Sequence, residues 1–170
     1  MKTLLLLLIL LSSAVSHGQG KVKRDITSKG DTLYSTPEKK IYTMPGAKNA
    51  IGEIVKSSIY KSKGSFSLCL TIQTGRTSVF TISEGDGAEI YFNDGSLLML
   101  SASGDYNSRR SALDYGCHLF VFYNLSDKAL AKLRSQDVEK IHVFASLGKM
   151  VYDIKDKQSD MIRKQSLSFE

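Results

Sequence analysis

Short apolar runs separated by turn-forming residues constrain the fold of this chain more than any other feature. The clearest pair, residues 89–92 and 96–100, flanks Asn93-Asp94-Gly95. Asn, Asp and Gly tolerate the positive φ of a tight turn, so the segment predicts a β-hairpin. Similar runs recur at 41–44, 51–60, 66–74, 78–83, 117–123, 138–146 and 150–154. The pattern predicts a mainly antiparallel β protein.

One segment carries helical signals. Ser126 can accept hydrogen bonds from the free amides of a helix start, and Leu125 and Leu130 occupy the two positions of a hydrophobic staple. These residues predict a helix to about residue 134, and a thinner amphipathic stretch at 157–165 predicts a terminal helix. The expected fold class is α+β, predominantly antiparallel β, sandwich-like or a single curved sheet, with one or two short helices near the C-terminus.

The first residues have the layout of a secretory signal peptide. Lys2 precedes an unbroken apolar run of eight residues, Leu4 to Leu11, and small residues follow. A bilayer span needs about 20 apolar residues, so no membrane span is expected after removal of the signal. Small side chains at the −3 and −1 positions allow cleavage before His17 or before Gln19, and of the two we prefer the start at Gln19. We therefore expect a signal peptide at 1–18 and a secreted or periplasmic product.

About 150 residues remain after cleavage, which suits one domain with one core. Residues 19–40 are polar and have few apolar anchors, so we expect a flexible N-terminal segment that lies loosely on the surface. Regular structure is expected to begin near Ile41. Residues 41–170 then form a single β-rich domain.

The net charge of +6 is modest, and the basic residues are scattered along the chain. A nucleic-acid-binding protein usually concentrates basic residues on one face together with aromatic residues for stacking. We therefore expect no nucleic-acid partner. The oligomeric state is left open by the sequence.

Cys69 and Cys117 are the two cysteines of the chain. An oxidising compartment would permit one disulfide between them, and two separate buried thiols are an equal alternative. Cys69 alternates with the apolar residues of its run and faces away from their stripe. Cys117 opens a run that is apolar at nearly every position, which predicts a strand buried on both sides. Redox catalysis is disfavoured because no Cys-x-x-Cys pair is present.

Three stretches carry a resemblance: 90–96 with its hairpin turn, Gly104-Asp105-Tyr106-Asn107, and 125–133 leading into Lys140-Ile141-His142-Val143. In these stretches the chain, from about Tyr60 onward, resembles a group of uncharacterised exported β-rich proteins of Bacteroidota-type bacteria. The resemblance implies an exported bacterial β-rich domain. It implies no activity and no catalytic residue.

His118 is the strongest candidate for chemistry. It follows a loop that contains Asp105, Ser111 and Asp114. These residue types are those of a Ser/His/Asp arrangement, so a small hydrolase that uses His118 is one hypothesis. The alternative is a partly buried, hydrogen-bonded histidine, and the lack of a Gly-x-Ser-x-Gly elbow favours this alternative. Whether the protein is an enzyme stays open, with the balance against it.

Metal and cofactor signals are weak. The acidic turns at 84–89 and 93–95 lack the EF-hand spacing, and turn formation alone explains them. Too few histidines survive cleavage for a three-histidine site, and His142 is expected to be structural. No metal and no other cofactor is expected.

The loop at 104–116 is the best candidate binding element. Tyr106, Arg109, Arg110 and Tyr115 combine aromatic rings with guanidinium groups, a mixture that fits recognition of glycans, carboxylates or protein surfaces. The alternative is a solvated loop whose tyrosines pack on the core. The leading hypothesis is an exported non-enzymatic module that binds an envelope protein, a peptide or a glycan. The alternatives are the small hydrolase and an inhibitor or structural component of the envelope.

Overall fold

The computed structural model describes residues 21–46, 52–110 and 116–169. The strands are β1 (Lys23–Ile26), β2 (Thr32–Ser35), β3 (Lys39–Met44), β4 (Glu53–Ser62), β5 (Ser65–Thr74), β6 (Thr81–Ile82), β7 (Gly87–Phe92), β8 (Leu97–Ser101), β9 (Tyr106–Asn107), β10 (Arg109–Arg110), β11 (Cys117–Leu125), β12 (Val138–Ala145) and β13 (Gly148–Asp153). The helices are α1 (Asp127–Ser135), α2 (Asp156–Ser159) and α3 (Met161–Leu167).

The strands form two main sheets in which all pairings are antiparallel. The seven-stranded sheet has the order β1-β2-β4-β5-β11-β10, with β3 also paired to β4, and it curls as a half-barrel. The four-stranded sheet has the order β13-β12-β7-β8, and β6 pairs with β9. The architecture confirms the predicted α+β class.

The predicted hairpin is formed by β7 and β8. Tyr91 pairs with Leu97, and Gly95 adopts φ +78° in the turn between them. Since glycine has no Cβ, it takes this left-handed conformation without steric cost. The hairpin therefore follows directly from the Asn93-Asp94-Gly95 sequence.

A single hydrophobic core lies between the sheets and under the helices. It takes one face of each long strand, because side chains alternate across a strand with a period of two. Central members, all with an exposed fraction of 1% or less, are Val55, Ile59, Leu68, Leu70, Ile72, Ile90, Phe92, Leu119, Val121, Ile141, Val143 and Tyr152.

The helices begin and pack much as the local sequence predicts. The Ser126 hydroxyl accepts a hydrogen bond from the amide of Ala129 at 3.2 Å, and Leu125 and Leu130 are both buried. The terminal amphipathic stretch forms two short helices, with Ile162 and Gln165 of α3 buried against the seven-stranded sheet. No helix in the described part of the chain is long and apolar enough to cross a membrane.

The N-terminal segment differs from the expectation. Within the described residues the first strand begins at Lys23: β1 and β2 form a hairpin, and β2 pairs with β4 through Ser35 and Tyr60. The backbone of β1 pairs with β2 and that of β2 pairs with the edge of β4, and such pairing does not depend on apolar side chains.

The expectation that β11 is buried on both sides is wrong. Burial alternates along the strand: Leu119, Val121 and Tyr123 face the core, whereas Phe120 is 56% exposed. The apolar residues of the outer face suggested a second covered surface. Among the described residues no second layer covers Phe120, because its side chain projects to the side of the sheet opposite the core.

Candidate functional site

The outer face of β11 and its neighbours is the candidate functional site. Register places His118 opposite Gln73, Phe120 opposite Thr71 and Phe122 opposite Cys69. Opposite residues of a ladder project to the same side of the sheet. We call this surface, with the side chains that border it, the Phe120 face; its residues are Glu38, Lys56, Tyr60, Thr71, Gln73, Tyr106, Arg109, His118, Phe120 and Phe122.

Three aromatic rings hold one end of the Phe120 face. Tyr60 and Phe122 meet edge to face across β5 with ring centroids 5.2 Å apart, and Tyr106 packs on Phe122 at 6.2 Å. These rings flank the small side chains of Ser58 and Cys69, which are buried although they lie on the outer side of the sheet. Phe122 is therefore a packing residue, in contrast to its exposed neighbour Phe120.

Charged and polar groups border Phe120 on the other side. The Glu38 carboxylate accepts a hydrogen bond from the Thr71 hydroxyl at 2.6 Å and one from the Lys56 ammonium at 3.2 Å. Burial acts to raise the pKa of Glu38, but the hydrogen bonds from Thr71 and Lys56 outweigh it and the pKa is lowered. The carboxylate is thus ionised at neutral pH and held beside Thr71, the residue opposite Phe120.

The connection before β11 is anchored at several points. Ser108 is buried, and its hydroxyl accepts a hydrogen bond from the amide of Phe80 at 2.7 Å. The hydroxyl groups of Ser103 and Tyr106 lie 2.7 Å apart. These contacts place Tyr106 beside Phe122 and set the start of β10.

The two adjacent arginines diverge. Arg109 lies opposite His118 and Arg110 lies opposite Cys117, whose side chain is in the core. Successive residues of a strand project to opposite sides, so Arg109 joins the Phe120 face and Arg110 leaves it. Of the predicted binding residues, Tyr106 and Arg109 therefore come together on one surface. Tyr115 lies outside the described residues.

The catalytic arrangement around His118 receives no support from Asp105. The Asp105 carboxylate accepts a hydrogen bond from the amide of Glu84 at 2.8 Å, which gives it a role in the turn before β7. Asp114 and Ser111 lie outside the described residues. His118 is half-buried at the border of the Phe120 face.

The cysteines are two separate buried thiols rather than a bridge. Cys117 lies opposite Thr74, five positions along β5 from Cys69. At about 3.3 Å per residue the two positions are about 16 Å apart, whereas a disulfide needs Cα atoms within about 7 Å. Burial raises the pKa of the Cys69 thiol to about 12. This thiol is therefore a poor nucleophile.

The outer face of the four-stranded sheet carries a second polar cluster. Glu89 accepts a hydrogen bond from the Tyr91 hydroxyl at 2.8 Å, and its carboxylate lies 2.9 Å from Nδ1 of His142. The rings of Tyr91 and His142 are 4.7 Å apart. The contacts with His142 and then Tyr91 lower the pKa of Glu89. His142 thus links β12 to β7, in line with a structural role.

The carboxylates of the acidic turns accept hydrogen bonds from backbone amides of the same turns. Asp86 accepts one from the amide of Ser83 at 2.7 Å, and Asp94 accepts one from the amide of Ser96 at 2.9 Å. Within residues 21–46, 52–110 and 116–169, no three side chains suited to metal binding come together.

A groove of about 190 Å³ lies between α3 and the segment that joins β2 to β3. Its polar side chains are already engaged: Gln165 bonds Ser57 and Pro37, and Lys164 pairs with Asp160. The groove therefore offers few free polar groups for a ligand.

Sequence reasoning missed Phe120, Glu38 and Lys56 as parts of a common surface. The alternation of Ser67, Cys69, Thr71 and Gln73 along β5 was a usable signal of such a surface. A strand with polar residues on its outer face indicates that the outer face of the adjacent strand is solvated as well. The contact between Glu38 and Thr71 joins residues 33 positions apart. No local sequence pattern predicts this contact.

No protein-family model, no curated protein and no solved structure matches this chain. The likeness to exported Bacteroidota-type proteins stays a prediction from the sequence.

Proposed function

We propose that this chain is an exported, non-enzymatic binding module and that the Phe120 face is its binding surface. One observation carries the proposal: an exposed phenylalanine stands in the middle of an interior strand, between an ordered aromatic cluster and an ordered ion pair. Exposed aromatic rings surrounded by polar groups are typical of recognition surfaces. Since its neighbours are held by strand register, the surface is preorganised for a ligand.

The small-hydrolase alternative is weaker because Asp105 is committed to its turn. A binding surface needs no such catalytic pair. Export rests on residues 1–18, whose signal-peptide layout supports a mature domain outside the cytosol.

Photo-cross-linking tests the proposal. A benzophenone amino acid is placed at position 120 or, as a control, at position 99 on β8, where Met99 is 70% exposed on the other sheet. The mature protein is irradiated in bacterial envelope extract. We expect position 120 to form adducts. Unlabelled wild-type protein, added as a competitor, should suppress these adducts, whereas the unlabelled Phe120→Ala variant should not. Equal adducts from both positions, or equal suppression by both competitors, would overturn the proposal.

A further inference from the structure

The Phe120 face has the composition of a sugar-binding surface rather than of a protein interface. Among the exposed large hydrophobic side chains of the described residues, Phe120 alone belongs to it. Protein interfaces are depleted of charge at their centre and rest on several apolar anchors. Here the one exposed ring is bordered by a carboxylate, a guanidinium, an ammonium, a hydroxyl and an amide, beside the partly buried rings of Tyr60, Tyr106 and Phe122.

Strand addition by a peptide is disfavoured at this surface. β5 is paired on both sides, to β4 and β11, and β11 lies between β5 and the short β10. On the far edge of β11, His118 and Cys117 pair with β10 and Tyr123 is bridged by Ala102, so only a short stretch around Phe120 is left for an added strand. Recognition has to use side chains that project from the sheet.

The projecting side chains match both the apolar face of a pyranose ring and its polar rim. The face of an aromatic ring is electronegative and attracts the C–H groups on the apolar face of a sugar, so exposed Phe120 offers a stacking platform. The Glu38 carboxylate can accept hydrogen bonds at the sugar rim, and the Gln73 amide can both accept and donate them. Glu38 is fixed there by Thr71 at 2.6 Å and Lys56 at 3.2 Å.

The charge balance favours an acidic sugar. Glu38 is offset by Lys56, whereas Arg109 is not paired with a carboxylate of any described residue. A guanidinium binds a carboxylate through two parallel hydrogen bonds, a geometry that hydroxyl groups do not match. The net charge, +6 for the full chain and about +5 after loss of Lys2 with the signal, attracts an anionic polymer at long range.

We infer that the Phe120 face binds an acidic glycan, with Phe120 stacked on a sugar ring and Arg109 bound to its carboxylate. This inference rests on the proposed binding function and names its ligand class.

Affinity electrophoresis in gels that contain polygalacturonate or a neutral β-glucan tests the inference on the mature protein. Polygalacturonate retards the wild type more strongly than the glucan does. Phe120→Ala weakens binding to polygalacturonate about tenfold, as expected for loss of a central contact. Arg109→Gln removes most of the preference for the acidic polymer.

Two matched variants separate this site from general attraction between a basic protein and a polyanion. Lys149→Gln removes one positive charge from the outer side of β13, and Met99→Ala removes an exposed hydrophobic side chain from β8. Both bind as the wild type does. The inference is overturned if Lys149→Gln weakens binding as much as Arg109→Gln, or if Phe120→Ala has no effect.

The failure of this inference differs from the failure of the proposed function. If no polysaccharide retards the protein while the specific adduct from position 120 persists, the glycan assignment is wrong and the binding surface stands. If the adduct is absent as well, both are wrong. Thermal unfolding of each variant shows that lost binding does not reflect lost folding.

Discussion

Gln165 and Ser57, 108 positions apart, join the last helix to the centre of β4 through a buried amide. The Ser57 hydroxyl donates to Oε1 of Gln165 at 2.7 Å, and Nε2 of Gln165 donates to the Ser57 carbonyl at 2.7 Å and to the Pro37 carbonyl at 2.9 Å. Gln165 is only 4% exposed. One side chain thus fixes α3 to the sheet and to the segment between β2 and β3.

Gln165→Leu is expected to lower the free energy of unfolding by about 2 to 4 kcal/mol, because it leaves buried polar groups without partners. Urea unfolding measures the change. The control is Lys157→Ala at an exposed position of α2, which should shift stability by less than about 0.5 kcal/mol. Similar values for the two variants would mean that the amide is not a structural anchor.

Phe122→Ala is expected to cost about 3 kcal/mol, because the ring packs against Tyr60 and Tyr106. Phe120→Ala should cost less than about 1 kcal/mol, since its exposed ring has little packing to lose. Chemical denaturation of the two variants makes the comparison. The assignment of Phe120 to binding and Phe122 to packing fails if the order is reversed.

Both cysteines are expected to be free thiols in protein recovered from an oxidising compartment. A thiol count after unfolding without reductant should detect both, whereas a disulfide would leave neither. Native protein at pH 8 should react slowly with iodoacetamide at Cys69, since burial raises the pKa of this thiol to about 12. Rapid labelling of Cys69 would show that the Tyr60 and Phe122 rings do not cover it.

Acid should destabilise the protein through Asp94. Hydrogen bonds from Ser96 and then from Lys132 lower the pKa of Asp94 from 3.8 to about 2. A lowered pKa in the folded state stabilises the fold above the unfolded value, and the stabilisation is lost as the pH falls from about 4.5 towards 2. The midpoint of thermal unfolding followed across this range should fall less in Asp94→Asn than in the wild type. Parallel curves would exclude this contribution.

Expression with export should yield a mature chain that starts at Gln19. Intact mass and N-terminal peptide analysis distinguish this start from one at His17. A product that retains Met1 would contradict the signal-peptide prediction.

Local chemistry made several elements predictable. The β7–β8 hairpin follows from Asn93-Asp94-Gly95, and α1 follows from the Ser126 cap, since both depend on neighbouring residues only. The alternation in β5 indicated a polar outer side. In contrast, β1 and β2 were missed because their stabilisation comes from backbone pairing, of β1 with β2 and of β2 with β4, which a polar sequence does not reveal.

Part of the candidate site could be predicted from the sequence. Tyr106, Arg109 and His118 stood out because of their side-chain chemistry and their place around a loop. The sequence did not reveal that Arg110 projects away from them, since its direction depends on pairing with β11. Glu38 was not predicted as part of the site, because it lies in the segment 19–40 that was expected to be flexible.

By itself, the sequence determined the class of fold, the main turns and the first helix, because these depend on side-chain period and on contacts within a few residues. The tertiary structure alone decided that Phe120 is exposed, that Cys69 and Cys117 are separate, and that Glu38 meets Thr71. Each of these depends on strand register and on which face the second sheet covers. Register joins residues distant in the chain, so no local pattern specifies it.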